Sequence, residues 1–206
     1  SAFDAVLIFY DEVNLLTEAG DTLLADNVGI PFETDVPRLD EDSIKAALLA
    51  EGAPPRDIAD ALAEAKARKI SSKHPGQMVI GCDQVLEFKG QVMTKVPDVA
   101  TARAQLKKLR GNQHKLMSAA VLYDDGKPVW RHVGETRLRM RPFSDAYLDD
   151  YLDRNWASVQ SAVGCYKLEE EGVRLFSRIE GDYFNVLGLP LLELLNHLTV
   201  TGTLTA

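Results

Sequence analysis

Apolar residues follow two different spacings along this chain, and segments of the two kinds alternate from one end to the other. Segments with a strand-type run or alternation of apolar residues occur at 5–10, 32–36, 79–86, 116–123 and 129–141. Segments with helical spacing or a helix-favouring composition occur at 12–27, 43–49, 57–68, 98–109, 145–154 and 187–198. Strands and helices that alternate in this way are typical of an α/β fold with a mixed sheet.

Turn and cap residues mark several of these boundaries. Ser43 carries a good N-cap side chain and predicts the start of a helix. Lys89-Gly90 predicts a hairpin turn after the third strand. The stretch 164–176 is predicted to hold short strands around a turn at 169–172, and the tail over about 200–206 is expected to fray.

The composition is that of an ordinary globular protein, and it narrows the classes of function. The chain has 206 residues, 46% of them apolar and 26% charged. This length suits a single domain over 1–206 with two lobes, or two small domains. A net charge of −8 argues against a nucleic acid polymer as partner, although a few converging lysines could still bind a small anion. No apolar run is long enough to span a membrane and the start is unlike a signal peptide, so we expect no membrane partner and a cytoplasmic location.

Asp83 and Gln84 interrupt a strand segment that is otherwise apolar or small. Val79-Ile80-Gly81-Cys82 precedes them and Val85-Leu86 follows. Burying a carboxylate is costly unless a cation or a hydrogen-bond donor offsets its charge. Asp83 is therefore expected either to face a charged partner in a site or to cap a turn at the end of the strand.

Other charged residues stand at breaks in the apolar pattern of the chain. Lys66 lies in an alanine-rich helical segment, Asp40-Glu41 precedes a predicted helix, Lys95 follows the hairpin and Glu169 lies near a turn. Each has an ordinary explanation as well, such as an exposed helix lysine or a helix cap. Together they describe a chemistry, because carboxylates hold Mg²⁺, lysines neutralise phosphate charge and an aspartate can act as a general base on water.

Five segments, taken in order, resemble the motifs of the Maf family of nucleotide pyrophosphatases. They are Asp40-Glu41-Asp42, Ala65-Lys66-Ala67, Val79-Ile80-Gly81-Cys82-Asp83-Gln84, Leu109-Arg110-Gly111-Asn112-Gln113-His114 and Gly181-Asp182-Tyr183-Phe184-Asn185-Val186-Leu187-Gly188-Leu189-Pro190-Leu191. The resemblance extends from about Gly29 to Leu198. It implies a Maf/ITPase-like α/β fold with an elongated, curved mixed β-sheet flanked by helices, and two lobes around a central cleft. It also implies a homodimer that hydrolyses a nucleoside triphosphate to the monophosphate and pyrophosphate with a divalent metal, Mg²⁺ or Mn²⁺.

The resemblance also implies roles for four residues of the reaction site. Asp83 matches the catalytic base of the family, and Glu41 matches an acidic residue of the family's site. These two carboxylates are implied to hold the metal. Lys66 and Lys95 match lysines that contact phosphate.

Gln84 and Glu169 match the two positions that follow base specificity in the family. A Gln and a Glu there are similar to the subfamily that prefers 7-methylguanosine triphosphate, whereas thymidine or uridine triphosphate subfamilies tend to carry Thr and Gln. The chemistry of the side chains agrees, since a carboxylate accepts hydrogen bonds from N1–H and N2–H of guanine.

The chain departs from the family pattern in its first motif. Where a Ser-x-Ser-Pro-Arg-Arg-like loop would bind phosphate, residues Thr17 to Thr22 offer no arginine and two acidic residues flank Gly20. Acidic groups at a phosphate cradle repel the substrate. Two hypotheses follow, an active metal-dependent nucleotide pyrophosphatase, or a catalytically degenerate nucleotide-binding or division-related interaction protein.

Overall fold

The computed structural model of the chain describes residues 6–9, 32–35 and 37–204. The strands are β1 Val6–Phe9, β2 Phe32–Thr34, β3 Val79–Phe88, β4 Gln91–Met93, β5 Gln113–Asp124, β6 Lys127–Met140 and β7 Phe176–Glu180. The helices are α1 Glu41–Ala50, α2 Pro55–Ser71, α3 Val99–Leu109, α4 Asp145–Val159, α5 Tyr183–Leu187 and α6 Leu191–Val200, with a 3₁₀ helix at Glu171–Leu175. Among the described residues, no helix has both the length and the apolar character that a membrane span requires.

The strands form one mixed sheet in the order β2-β1-β3-β5-β6-β7, with β4 also paired to β3. β1 runs parallel to β2 and β3, and the other pairs are antiparallel. The prediction of an α/β fold with a mixed sheet and flanking helices is therefore confirmed. The helix predicted over 12–27 and the altered loop from Thr17 to Thr22 lie outside the described residues.

One side of β3 is only partly covered by neighbouring strands. On its other side β5 pairs with residues 79–87. On the partly covered side, β1 pairs with residues 79–81 and β4 with residues 86–88. Residues 82–85 therefore have no strand partner on that side among the described strands, and the candidate site opens there.

Helices pack on both faces of the sheet, and its central strands are therefore buried on both faces. Val79 and Val85 of β3 pack under α2, while Ile80 and Cys82 pack under α5 and α6 on the opposite face. Successive side chains of a strand point to opposite faces, so this division follows the strand periodicity. A third cluster around Leu86 packs between the sheet and the helices α3 and α4.

The start of α1 confirms the explanation of Asp40 as a helix cap and shows that the N-cap prediction at Ser43 was wrong. Asp40, not Ser43, is the N-cap: its carboxylate accepts hydrogen bonds from Ser43 N at 3.1 Å and from Ser43 Oγ at 2.7 Å. Asp40 reaches the free amide of the third helical residue, which is the usual geometry of an N-cap. The helix therefore begins at Glu41, two residues earlier than Ser43.

Two predictions near the C-terminus differ from the structure in different ways. Residues 164–175 form turns and a 3₁₀ helix, so the short strands predicted there were wrong. The closing helix predicted over 187–198 is confirmed as α6 but begins later, at Leu191, since Gly188 ends α5 with φ 105° and Pro190 precedes α6.

The tail also differs from the prediction as far as it is described. α6 runs to Val200, and Thr201 N then donates to His197 O at 3.0 Å. Leu204 N donates to Leu198 O at 2.9 Å, and the Leu204 side chain packs on the core cluster under α6. These contacts fold residues 201–204 back onto the domain.

Candidate active site

A cavity of about 470 Å³ opens beside the uncovered stretch of β3. Five of the six residues proposed from the sequence line it: Glu41, Asp83, Gln84, Lys95 and Glu169. The sixth, Lys66, lies directly behind the wall, in contact with two of the others. Residues separated by up to 128 positions in the chain therefore meet at one cavity.

Lys66 joins the two carboxylates of the site. Its Nζ lies 2.8 Å from Asp83 Oδ1 and 3.1 Å from Glu41 Oε2. The side chain of Lys66 is only 1% exposed, and that of Asp83 is 10% exposed. Asp83 lies in the middle of β3, so the alternative of a cap at a strand end was wrong.

The charge of Lys66 is maintained by its partners. Burial alone would lower the pKa of an ammonium, but the negative charges of Asp83 and then Glu41, with their hydrogen bonds, raise the pKa of Lys66 above its usual range. Lys66 is therefore a permanent cation at neutral pH. Its burial is tolerable because two carboxylates compensate it.

The close approach of α2 to β3 sets this ion-pair geometry. Gly81 faces α2, and a Cβ at Gly81 would lie 2.5 Å from Ala67 N and closer still to Ala63 O. Asp83 is two residues further along β3 and so points to the same face. The glycine thus lets the helix come near enough for Lys66 to reach Asp83.

Gln84 points to the opposite face of the sheet and is held there by its amide nitrogen. Nε2 lies 3.0 Å from each of Ser118 Oγ, Asn185 O and Val186 O. Two of these acceptors are backbone carbonyls, so the orientation of the amide is fixed by them. In the described part of the chain Gln84 Oε1 accepts no hydrogen bond, and it is the remaining polar atom of this side chain for a ligand.

Glu169 lies on the segment between α4 and the 3₁₀ helix, across the cavity from β3. Burial raises the pKa of Glu169, and the charge of Lys167 acts in the opposite direction. Leu116, Leu168 and Val186 also line the cavity. An apolar wall with one carboxylate and one amide oxygen suits the planar, hydrogen-bonding base of a nucleotide.

Two cationic residues of the cavity were not predicted from the sequence. Lys45 on α1 and Lys167 beside Glu169 line it together with Lys95. Lys45 is one helical turn after Glu41, and this spacing places both on one face of α1. That spacing was the available signal, but a partly exposed helix lysine looks the same in a sequence whether or not it faces a site.

His114 supports the cavity wall from behind. It is 2% exposed, its Nε2 lies 2.7 Å from Tyr166 Oη, and Tyr166 lines the cavity. Burial lowers the pKa of His114 to about 4. The imidazole is therefore neutral at pH 7 and acts as a hydrogen-bond partner, not as a charge.

Comparison with known proteins agrees with this geometry. The family model described as Maf-like protein matches residues 21–201. A protein of Ruegeria pomeroyi, named nucleoside triphosphate pyrophosphatase, is 65% identical over 181 residues, which are 88% of this chain and 91% of the relative. A protein of the same name from Roseobacter denitrificans is 63% identical over 86% of this chain and 89% of its own length. Another from Caulobacter vibrioides is 54% identical over 89% of this chain and 92% of its own length. The chain belongs to the Maf family.

Proposed function

We propose that this chain hydrolyses a nucleoside triphosphate to the nucleoside monophosphate and pyrophosphate. The observation that carries the proposal is the buried ion-pair group of Asp83, Lys66 and Glu41 at the wall of a cavity lined by three more lysines. The names of the curated relatives, nucleoside triphosphate pyrophosphatase, support the same reaction.

Asp83 is the group placed to take a proton from the attacking water. The water oxygen forms a bond to the α-phosphorus, the bond from that phosphorus to the bridging oxygen of the β-phosphate breaks, and pyrophosphate leaves. The proton of the water goes to Asp83 as the new bond forms. Because the bond between the α- and β-phosphates breaks, the products are the monophosphate and pyrophosphate, not a diphosphate and orthophosphate.

The role proposed for Lys66 differs from the one implied by the family resemblance. Its Nζ is committed to Asp83 and Glu41, and the side chain is 1% exposed. Lys66 is therefore proposed to orient the Asp83 carboxylate and keep it ionised. Lys45, Lys95 and Lys167 line the open cavity and are the cations placed to contact the triphosphate.

Asp83 and Glu41 are the carboxylates that would hold a divalent metal, Mg²⁺ or Mn²⁺, if the reaction uses one. The described residues include no group of three or more metal-type side chains. Two carboxylates on one cavity wall nonetheless fit Mg²⁺, which commonly uses one or two carboxylates and keeps waters and phosphate oxygens as its other ligands. When bound, such an ion neutralises phosphate charge in the transition state.

The proposed base is guanine, with 7-methylguanine as its cationic form. Glu169 offers a carboxylate to N1–H and N2–H, and Gln84 offers the Oε1 that its fixed amide leaves free to accept. A methylated, positively charged ring would favour the carboxylate further. The corresponding edge of uracil or thymine presents only one N–H donor, so these bases satisfy the acceptors of Glu169 and Gln84 less well.

Pyrophosphate release measured with 7-methylguanosine, guanosine, thymidine and uridine triphosphates, each with Mg²⁺ or Mn²⁺, tests the reaction and the base together. Asp83→Asn is expected to abolish release while circular dichroism shows an intact fold. Asp145→Asn is the control, because it also replaces a carboxylate by an amide, but in an exposed group of ion pairs at the start of α4. It is expected to keep the wild-type rate. Equal rates for the Asp83 variant and the wild type would remove Asp83 from the reaction.

The same assay separates the reaction from the alternative of a catalytically degenerate nucleotide-binding protein. Nucleotide binding by calorimetry without any pyrophosphate release would favour the alternative. Glu169→Gln tests the base, because an amide pairs less well with the guanine donors and the ratio of guanosine to uridine triphosphate rates should fall. An unchanged ratio would argue against a base-reading role for Glu169.

A further inference from the structure

Gln84, Ser118 and Gly134 form a row across three neighbouring strands. Gln84 of β3 lies directly opposite Ser118 of β5, and Ser118 lies directly opposite Gly134 of β6. Directly opposed residues of paired strands point to the same face of the sheet. The row therefore lies on one face, and it leads from the cavity wall at Gln84 to a glycine two strands away.

The glycine at the end of the row lets α5 approach the sheet closely. A Cβ at Gly134 would lie 2.2 Å from Asn185 Nδ2 and 2.3 Å from Asn185 Oδ1. The side chain of Asn185 therefore fills the space that a larger residue at 134 would need, and Asn185 is buried there. In this position the backbone carbonyl of Asn185 accepts hydrogen bonds from both Ser118 and Gln84.

The hydroxyl proton of Ser118 is committed to that carbonyl. Ser118 is fully buried, and its Oγ donates to Asn185 O. A serine hydroxyl has one proton to donate, so towards Gln84 Nε2, at 3.0 Å, the Ser118 oxygen only accepts. A flipped amide would place Gln84 Oε1 against this oxygen and two carbonyl oxygens, which are all acceptors.

We propose that Ser118 is a positioning residue for recognition of the base. By accepting from Gln84 Nε2, it holds the amide so that Gln84 Oε1 faces the cavity. Ser118 is fully buried and touches no ligand itself, so it acts through Gln84. This inference rests on the proposed function, in which Gln84 Oε1 accepts a hydrogen bond from guanine.

The arrangement of β3 separates this role from the chemical step. Gln84 and Asp83 are neighbours in the strand, so their side chains point to opposite faces of the sheet. Loss of the Ser118 hydroxyl should therefore change the discrimination between bases and leave bond breaking unaffected. In the active enzyme, KM for guanosine triphosphate should rise while kcat stays at the wild-type value.

Calorimetry with two triphosphate analogues tests the proposal. Guanosine and uridine triphosphates with a methylene group in place of the α–β bridging oxygen bind without being cleaved there. The readout is the ratio of their dissociation constants, uridine analogue over guanosine analogue. Ser118→Ala removes the hydroxyl, and this ratio should fall about threefold to tenfold, as expected for the loss of one neutral hydrogen bond.

Two further variants show whether the effect passes through Gln84. Ser118→Cys keeps a side chain of similar shape but replaces the hydroxyl by a thiol, which is a weak donor and acceptor, so it should lower the ratio as well. In a Gln84→Ala background, Ser118→Ala should leave the ratio unchanged, because the group that it orients is gone. Circular dichroism identifies the variants that are folded.

Ser71→Ala is the control. Ser71 is a buried serine at the end of α2, and its Oγ has no hydrogen-bond partner within the described part of the chain. Its loss should leave the ratio at the wild-type value.

Three results would overturn the proposal: a wild-type ratio in either folded Ser118 variant, a further fall in the Gln84→Ala background, or a wild type that binds the two analogues equally. Pyrophosphate release is measured separately. A wild type that releases none would refute the proposed reaction, while the binding ratio would still decide the role of Ser118.

Discussion

Gly81→Ala tests whether the distance between α2 and β3 controls the site. The new Cβ would lie 2.5 Å from Ala67 N and 2.8 Å from Ala67 Cβ, and still closer to Ala63 O. Two of these three atoms are backbone atoms, which no rotation of a side chain can move away. Since Cβ atoms essentially never approach other heavy atoms within 3.0 Å, the helix must shift by at least 0.5 Å from β3.

That shift acts directly on the ion pair. Lys66 lies between Ala63 and Ala67 in sequence and moves with the helix, while Asp83 stays with the strand, so their 2.8 Å contact lengthens. Overpacking of this kind costs about 1–3 kcal/mol of stability. A displacement of this size at a catalytic group lowers the rate by about tenfold to a hundredfold. Urea unfolding measures the first effect and the kcat/KM of pyrophosphate release measures the second.

Ile70→Val is the control variant, because it should lower the stability of the protein without displacing α2 from β3. Ile70 is fully buried on the same helix, and losing one methyl group costs about 0.5–1.5 kcal/mol without pushing α2 outward. The Ile70 variant should therefore keep its kcat/KM while losing stability. A Gly81→Ala enzyme with the wild-type kcat/KM would refute the reasoning, because the helix would then have no influence on the reacting groups.

Two further predictions concern the walls of the cavity. His114 has a folded-state pKa of about 4, below its ordinary value of 6.5, so its contribution to stability is complete above pH 6.5 and is lost as the pH falls from 6.5 towards 4. Between pH 6.5 and pH 5, the free energy of unfolding measured in urea should therefore fall by about 2 kcal/mol more for the wild type than for His114→Gln. If the free energies of unfolding of the two proteins change in parallel with pH, that result contradicts a neutral buried imidazole. Gln84→Glu replaces the nitrogen that donates to Asn185 O and Val186 O by an acceptor, which should cost about 2 kcal/mol or more of stability and raise KM for guanosine triphosphate. Unchanged unfolding and an unchanged KM would show that the amide of Gln84 has neither role.

The sequence by itself determined the element types and the polarity of the site. Apolar runs and helical spacing are local properties, so the strands around Asp83 and the helix around Lys66 were predictable where they occur. Asp83 was conspicuous because a carboxylate in a buried strand needs a partner. Local signals failed over 164–175, where turns and a 3₁₀ helix stand in place of the predicted strands. Gly172 of that helix packs against the backbone of Lys167, a contact that its sequence neighbours do not reveal.

Only the tertiary structure decided which charges meet and which way they point. Gly81 looks like any strand glycine in the sequence, yet its contact with Ala63 and Ala67 brings Lys66 to Asp83 across 17 positions. Lys45 and Lys167 resemble surface lysines until the cavity is seen. The physical reason is that side-chain chemistry is encoded residue by residue, whereas the distances between side chains depend on how helices pack on strands far away in the chain.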